Sequence, residues 1–201
     1  MKQNIFDIYI TAAFSLIIPI TGRLAFGLVT IVELNILVFL TFGFSYLLNF
    51  LDIDDLRTIS PMIFMVFLAV FLQCLLKIFF PILAFSMNFS QYLICFSALA
   101  IGTLFPREEK LSFKSQFQSL LSLMLPMSVI LLFFFVLRDV LGYGTLTLPA
   151  SRGIAEIKCF DGFDGIPFFA SIPFTFICVG LMAALFDFIR TKVIIFHRSA
   201  N

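Results

Sequence analysis

The side chains best suited to chemistry are sparse in this chain, which has four cysteines and one histidine. The cysteines are Cys74, Cys95, Cys159 and Cys178, and no two of them form a CxxC pair. This spacing favours neither a disulfide framework nor a zinc site. The histidine, His197, lies in the C-terminal tail. A histidine-based catalytic site is therefore not expected.

A second group of polar side chains lies inside long apolar runs, and it comprises Glu33, Asn35, Gln73, Lys77 and Gln91. An ionised group inside a bilayer is costly, so Glu33 and Lys77 should face the interior of a helix bundle, face each other, or lie near an interface. Two interpretations are open. These groups form part of an ion or proton path, or Lys77 extends to the lipid headgroups while a neighbouring helix satisfies Glu33.

The third candidate is the stretch LRDVLGYGTLT at residues 137–147, in which Arg138 and Asp139 directly follow a long apolar run. An arginine and a carboxylate at a membrane interface can cap and orient the loop that follows. That loop opens with Gly142, Gly144 and Thr145. We therefore predict that Arg138 and Asp139 have a structural rather than a catalytic role.

Composition determines the elements that must hold these residues. Of the 201 residues 61% are hydrophobic and 30 are Phe, and the mean hydropathy is +1.11. A soluble domain of this size could not bury so much apolar surface and still present a polar exterior. The chain is therefore expected to be an integral membrane protein in contact with lipid. Its net charge of +1 offers no basic surface for nucleic acid.

The uncharged runs predict an all-α membrane protein with one membrane domain, residues 1–201, because backbone groups in lipid must be paired within each segment. Six transmembrane helices are predicted, at about residues 8–22, 24–50, 60–84, 89–105, 115–137 and 167–189. The glycine-rich segment 138–166 is predicted to be an irregular outer loop. Eight lysines and arginines fall on one side of the membrane and four on the other, so both termini are expected in the cytoplasm.

The first and fourth predicted spans are unusually short. The first ends in Pro19 and Gly22, and the fourth is interrupted by Gly102 and Thr103. Each opens one half of the chain. Short or interrupted segments in corresponding positions indicate an inverted three-plus-three repeat, whose functional site would lie where these segments meet at mid-membrane. Two tilted helices would give the same pattern.

The last seventy or so residues resemble a known family in the order of their motifs. Arg138-Asp139 follows an apolar span, Gly142-Tyr-Gly-Thr-Leu146 opens the outer loop, and Gly180-Leu-Met-Ala-Ala184 lies in the last span. This order resembles the D/E-type (NqrD/RnfE-like) integral membrane subunits of the Rnf and Nqr ion-translocating oxidoreductases. Asp139 stands where that family has glutamate.

The resemblance implies a membrane subunit of an electron-transport complex in the bacterial inner membrane. Such a complex couples the oxidation of NADH or ferredoxin to sodium or proton translocation. The subunit would not be catalytic by itself. Its closest partner would be a homologous subunit of inverted topology, and the two would share one [2Fe-2S] cluster at mid-membrane.

The family's cluster ligands are cysteines of the first and fourth spans, and this chain departs from that pattern. The first position falls on Thr11 or Ser15, and the second falls on Ser97 or Ala98. Because thiolates hold such clusters, these residues make a cluster doubtful. Cys95 lies close enough to the second position to be considered as a shifted ligand. The chain is thus a diverged member without a cluster, or a partner holds the cluster asymmetrically.

Two other readings fit the same topology. A six-span substrate-binding subunit of an energy-coupled vitamin importer has similar length and hydrophobicity, and the loop at 138–166 could cap its ligand. A helix bundle that only assembles a complex is the third reading. The Arg-Asp, Leu-Gly-Tyr-Gly-Thr-Leu pattern argues against the vitamin importer.

Overall fold

The computed structural model describes residues 20–51, 59–87, 92–95, 97–98, 113–150, 153–159, 162, 164–181, 184 and 188. The described chain is mostly helical, with one small antiparallel sheet. In chain order its elements are α1 (Leu24–Phe50), α2 (Ile59–Phe79), α3 (Pro81–Ser86), α4 (Phe113–Tyr143), β1 (Thr145–Ala150), β2 (Gly153–Lys158), α5 (Pro167–Ala170) and α6 (Ile172–Leu181).

Three helices in this part of the chain, α1, α2 and α4, are long and apolar enough to cross a membrane. With 27, 21 and 31 residues they measure about 40, 32 and 46 Å at a rise of 1.5 Å per residue, against a hydrocarbon core about 30 Å thick. They correspond to the predicted second, third and fifth spans. This is the pattern of a multi-pass membrane protein. The predicted first span, 8–22, lies almost wholly outside the described residues.

The predicted third and sixth spans are each divided by a break near a proline. The residue before a proline is disfavoured in helical geometry, and Phe80, with φ −137° and ψ 67°, separates α2 from α3, which begins at Pro81. A continuous span over 60–84 was therefore the wrong expectation. Likewise α5 ends at Ala170, Ser171 is extended, and α6 begins just before Pro173.

The expectation of an irregular loop over 138–166 is also wrong. Helix α4 continues six residues beyond the predicted end of its span to Tyr143, and an antiparallel hairpin follows. Its register pairs Thr145 with Lys158 and Ala150 with Gly153. The local signal is the alternation Thr-Leu-Thr-Leu in β1, since successive strand residues face opposite sides. Because of this hairpin the fold is not strictly all-α.

The ends of the long helices define two ends of the bundle. At the end that we call the hairpin end, β1 packs on α1 and α4, α5 packs on α4, and α3 packs on β2. At the opposite end, which we call the aromatic end, rings of α1 meet the start of α4. The ring centroids of Tyr46 and Phe113 lie 4.6 Å apart, and those of Phe39 and Phe117 lie 5.6 Å apart.

The core lies between α1, α2 and α4. It includes Leu34 and Leu37 of α1, Met65 of α2, and Leu131 and Phe135 of α4, all of them buried. Many other large apolar side chains are exposed on the outward faces of these helices, which suits contact with lipid. The core fixes α1 beside α4 and so positions the end of α4, where the sequence motif lies.

Candidate functional site

The motif residues Arg138 and Asp139 lie in the last turns of α4 at the hairpin end, and both are buried, with 1% and 0% of their surface exposed. Charged side chains are almost never this buried unless they are hydrogen-bonded. Both residues make hydrogen bonds here, although the Asp139 Oδ1 atom makes none in the described part of the chain. Although adjacent in sequence, the two side chains bind different segments. Together these segments form one junction between α1, α4, β1 and α5.

Asp139 caps the first turn of α1 from across the chain. Its Oδ2 atom accepts hydrogen bonds from the backbone N–H of Leu24 at 3.1 Å and from the N–H and hydroxyl of Thr147 at 2.7 and 2.6 Å. The Thr147 hydroxyl in turn accepts from the N–H of Ala25 at 3.1 Å. The first N–H groups of a helix have no partner within it, and the residue before α1 is Arg23, which has no side-chain acceptor. Asp139 and Thr147 supply these acceptors, and the negative charge is favourable at a helix N-terminus.

Arg138 fastens two backbone segments to the end of α4. Its Nη1 donates to the carbonyl of Ile20 at 3.2 Å, and its Nη2 donates to the carbonyl of Ala170 at 2.8 Å. Its guanidinium also lies 5.9 Å from the ring centroid of Phe134, within the range of a cation–π contact. Arg138 thus ties the segment before α1 to the end of α5.

The motif glycines allow close approach at this junction. A Cβ at Gly142 would lie 2.7 Å from the Cβ of Ala170 and 3.0 Å from its backbone nitrogen. Gly144 has a φ of 67°, a left-handed conformation that glycine adopts without strain. It ends α4, with its N–H donating to the carbonyl of Val140 at 3.0 Å. The next motif residue, Thr145, begins β1, and its hydroxyl is buried without a hydrogen-bond partner in the described part of the chain.

An ion pair holds the hairpin to the segment before α1. Arg23 donates to the carboxylate of Glu156 in β2, and its guanidinium lies 4.8 Å from the ring centroid of Tyr143. Partial burial opposes the charge of Arg23, but the hydrogen bond and charge of Glu156 more than offset this and raise the pKa of Arg23. Because both side chains remain partly exposed, this pair contributes little stability compared with Asp139.

The predicted cluster-ligand positions do not meet in one described site. Thr11 and Ser15 lie outside the described residues. Cys95, Ser97 and Ala98 are helical and buried, and Cys95 and Ala98 pack within the apolar core. In the described ranges no group of three or more His, Cys, Asp or Glu side chains could hold a metal. One thiol beside a hydroxyl and a methyl group does not fit the donors that a [2Fe-2S] cluster requires.

The intramembrane polar residues have different environments. Asn35 of α1 donates to the Ile31 carbonyl at 2.8 Å and to the hydroxyl of Ser128 in α4 at 2.9 Å, which joins the two helices. Glu33 is buried, with 7% of its surface exposed. Lys77 is exposed in the last turn of α2, so the described structure does not bring it to Glu33.

Two residues that complete the junction were given no role from the sequence: Thr147, which ends the motif stretch 137–147, and Ala170. Thr147 is fully buried, although threonine is usually exposed. Two signals could have indicated it: the alternation in β1, and the arginine at the position where a helix usually has a capping side chain. Ala170 contributes only its carbonyl and its small size, and no local sequence pattern indicates either contribution.

No protein-family model matches the chain, and neither a curated protein nor a solved structure matches it. The resemblance to Rnf and Nqr membrane subunits therefore depends on the motif residues alone.

Proposed function

We propose that this chain is a multi-pass membrane subunit of an Rnf/Nqr-like electron-transport complex and that it stabilises the complex without supplying cluster ligands. The complex would couple oxidation of NADH or ferredoxin to sodium or proton translocation across the bacterial inner membrane, with both termini of this chain in the cytoplasm. The subunit would have no catalytic residues of its own.

One observation carries the proposal: the residues of the family-like motif act together in one junction. Arg138 and Asp139 bind segments that are distant in sequence, and Gly142 and Gly144 permit the packing and the turn beside them. These residues are close in sequence, but each makes a different contact of the junction. The conjunction of sequence pattern and spatial convergence therefore supports treating the motif as one unit.

Two observations support an assembly role: the side chains at the second expected cluster position, and the apolar outer faces of the long helices. The residues at the second expected cluster position are Ser97 and Ala98, which bind iron poorly or not at all. The exposed faces of α1, α2 and α4 carry many large apolar side chains. Lipid covers such faces in a single subunit, and helix packing with an inverted homologous partner covers part of them in a complex.

Affinity purification of the tagged chain from its native membranes in mild detergent tests this function. Mass spectrometry should find redox subunits in stoichiometric amounts, including a homologous membrane subunit of opposite topology. A stoichiometric vitamin without redox subunits would instead establish the importer reading and overturn the proposal.

A further inference from the structure

Glu33 of α1 has a buried carboxyl group inside the bundle that takes no part in the junction. Glu33 lies nine residues beyond Leu24, roughly 14 Å along the helix, and so near the middle of a hydrocarbon core about 30 Å thick. Only 7% of its surface is exposed. An ionised carboxylate at this depth is costly, and intramembrane carboxyl groups commonly mark ion or proton pathways.

Gln73 of α2 is a second buried polar side chain at a similar depth. Helices α1 and α2 pack against each other, and α2 leads into α3 at the hairpin end, where α1 begins. Gln73 lies six residues before Phe79, or roughly 9 Å from that end of α2, which is within about one helical turn of the level of Glu33. Glu33 and Gln73 both take part in polar interactions. An amide can accept a hydrogen bond from a protonated carboxyl and donate one to a carboxylate, so it suits both states.

Thr41 is the next buried polar side chain of α1 toward the aromatic end. It follows Glu33 by eight residues, which places it roughly 12 Å along the helix and about 80° around it. Thr41 is 6% exposed, and its hydroxyl has no hydrogen-bond partner in the described part of the chain. In contrast, the hydroxyl of Thr30 on the same helix donates to the carbonyl of Phe26 at 2.9 Å, the usual arrangement for a threonine inside a helix.

The surroundings favour a proton over a metal cation. A metal ion in a protein site needs several oxygen ligands. In the described part of the chain no group of three or more His, Cys, Asp or Glu side chains could hold a metal ion. A proton needs only the carboxyl group and one neighbour that accepts a hydrogen bond.

On the described helices, the charged side chains other than Glu33 lie in turns near the helix ends. They are Lys77 of α2 and Lys114, Arg138 and Asp139 of α4. Both lysines are exposed in the terminal turns, and Arg138 and Asp139 bind backbone groups at the hairpin end. We propose that Glu33 is a proton-binding site in the membrane interior, with Gln73 as its polar neighbour and Thr41 as the next hydroxyl toward the aromatic end. This inference does not depend on the proposed redox complex.

Labelling with dicyclohexylcarbodiimide tests the site, because this apolar reagent modifies protonated carboxyl groups within membranes. The full chain in lipid vesicles would be treated over a range of pH, and the modified residues would be identified by mass spectrometry. Glu33 should be labelled near neutral pH, and its labelling should fall roughly tenfold per pH unit once the carboxyl ionises. Glu156, which is exposed on the hairpin, is the internal control and should remain unlabelled.

Two variants sharpen the test. Glu33→Gln should abolish the labelling, and Gln73→Leu should shift its pH dependence while leaving the chain folded. Absence of labelling at Glu33 even in acid would overturn the proposal. Protection of Glu33 by added sodium at constant pH would also overturn it, since the site would then bind sodium. Labelling of the wild-type chain tests the proposal by itself, so the proposal remains testable even if a variant fails to fold.

Discussion

Asp139 replaces a local cap that α1 lacks. Most helices begin with a side chain that accepts a hydrogen bond from their first N–H groups, but Arg23 holds that position here. The carboxylate that does this work comes from α4, 115 residues away, and Thr147 assists it. The start of one membrane helix therefore depends on the end of another.

Replacing Asp139 with Ala should destabilise the chain by roughly 1–3 kcal/mol, because buried N–H groups of Leu24 and Thr147 lose their acceptor. Thermal unfolding in detergent should show a lower Tm, by about 2–4 °C per kcal/mol. Asp164→Ala is the matched control, since Asp164 is an exposed carboxylate and its loss should leave Tm nearly unchanged. An equal Tm for the two variants would contradict the capping role.

Arg138 should matter through assembly rather than chemistry. Arg138→Ala removes the donors to the carbonyls of Ile20 and Ala170, so the amount of the proposed complex that assembles and its electron-transfer activity should fall in proportion. Blue-native gels and an electron-transfer assay would measure both quantities. Lys114→Ala, at an exposed basic residue, should change neither. Full assembly with lost electron transfer would instead assign Arg138 a direct role.

At the scale of elements, the sequence predicted the middles of helices better than their ends. Long uncharged runs locate α1, α2 and α4, because membrane helices need about 20 apolar residues. Hydropathy does not locate the break at Phe80 or the extension of α4 to Tyr143. Pro81 determines the break at Phe80. The extension of α4 to Tyr143 is accompanied by contacts with distant segments.

The sequence indicated a structural role for Arg138 and Asp139, but it did not indicate all the groups that they bind. An arginine and a carboxylate after a span indicated that the following loop would be oriented, and Asp139 does bind Thr147 in that segment. The bonds to Leu24 and Ile20 join residues more than a hundred positions apart. Such long-range contacts leave no trace in a local pattern.

The packing of α5 on α4 gives a prediction at the same scale. Gly142→Ala should be destabilising by about 1–3 kcal/mol, because its methyl group would meet the backbone and Cβ of Ala170. Gly43→Ala, where the space is open, should be stabilising by up to about 1 kcal/mol because alanine favours helices. Detergent unfolding curves should therefore shift in opposite directions, and a parallel shift would refute the packing argument.

For the whole molecule, the distribution of basic residues predicts one orientation of the helix bundle in the membrane. Cysteines introduced near residues 55, 110 and 155 should react with a membrane-impermeant thiol reagent from the inside, inside and outside, respectively. The prediction follows from eight basic residues on one side against four on the other. The hairpin end would then face outward. Labelling of position 110 from outside would be incompatible with this topology.

Deletion of the chain in its native host tests the proposed membership of an electron-transport complex. Deleting this chain from its native host should abolish NADH- or ferredoxin-driven ion uptake in membrane vesicles, and both the wild-type chain and Cys95→Ser should restore it. Reduced membranes should show the same iron–sulfur spectrum after either complementation, because Cys95 is not expected to ligate a cluster. Unchanged ion uptake after deletion would contradict membership of such a complex. A [2Fe-2S] signal lost with Cys95→Ser in a fully assembled complex would show that the chain retains a cluster ligand.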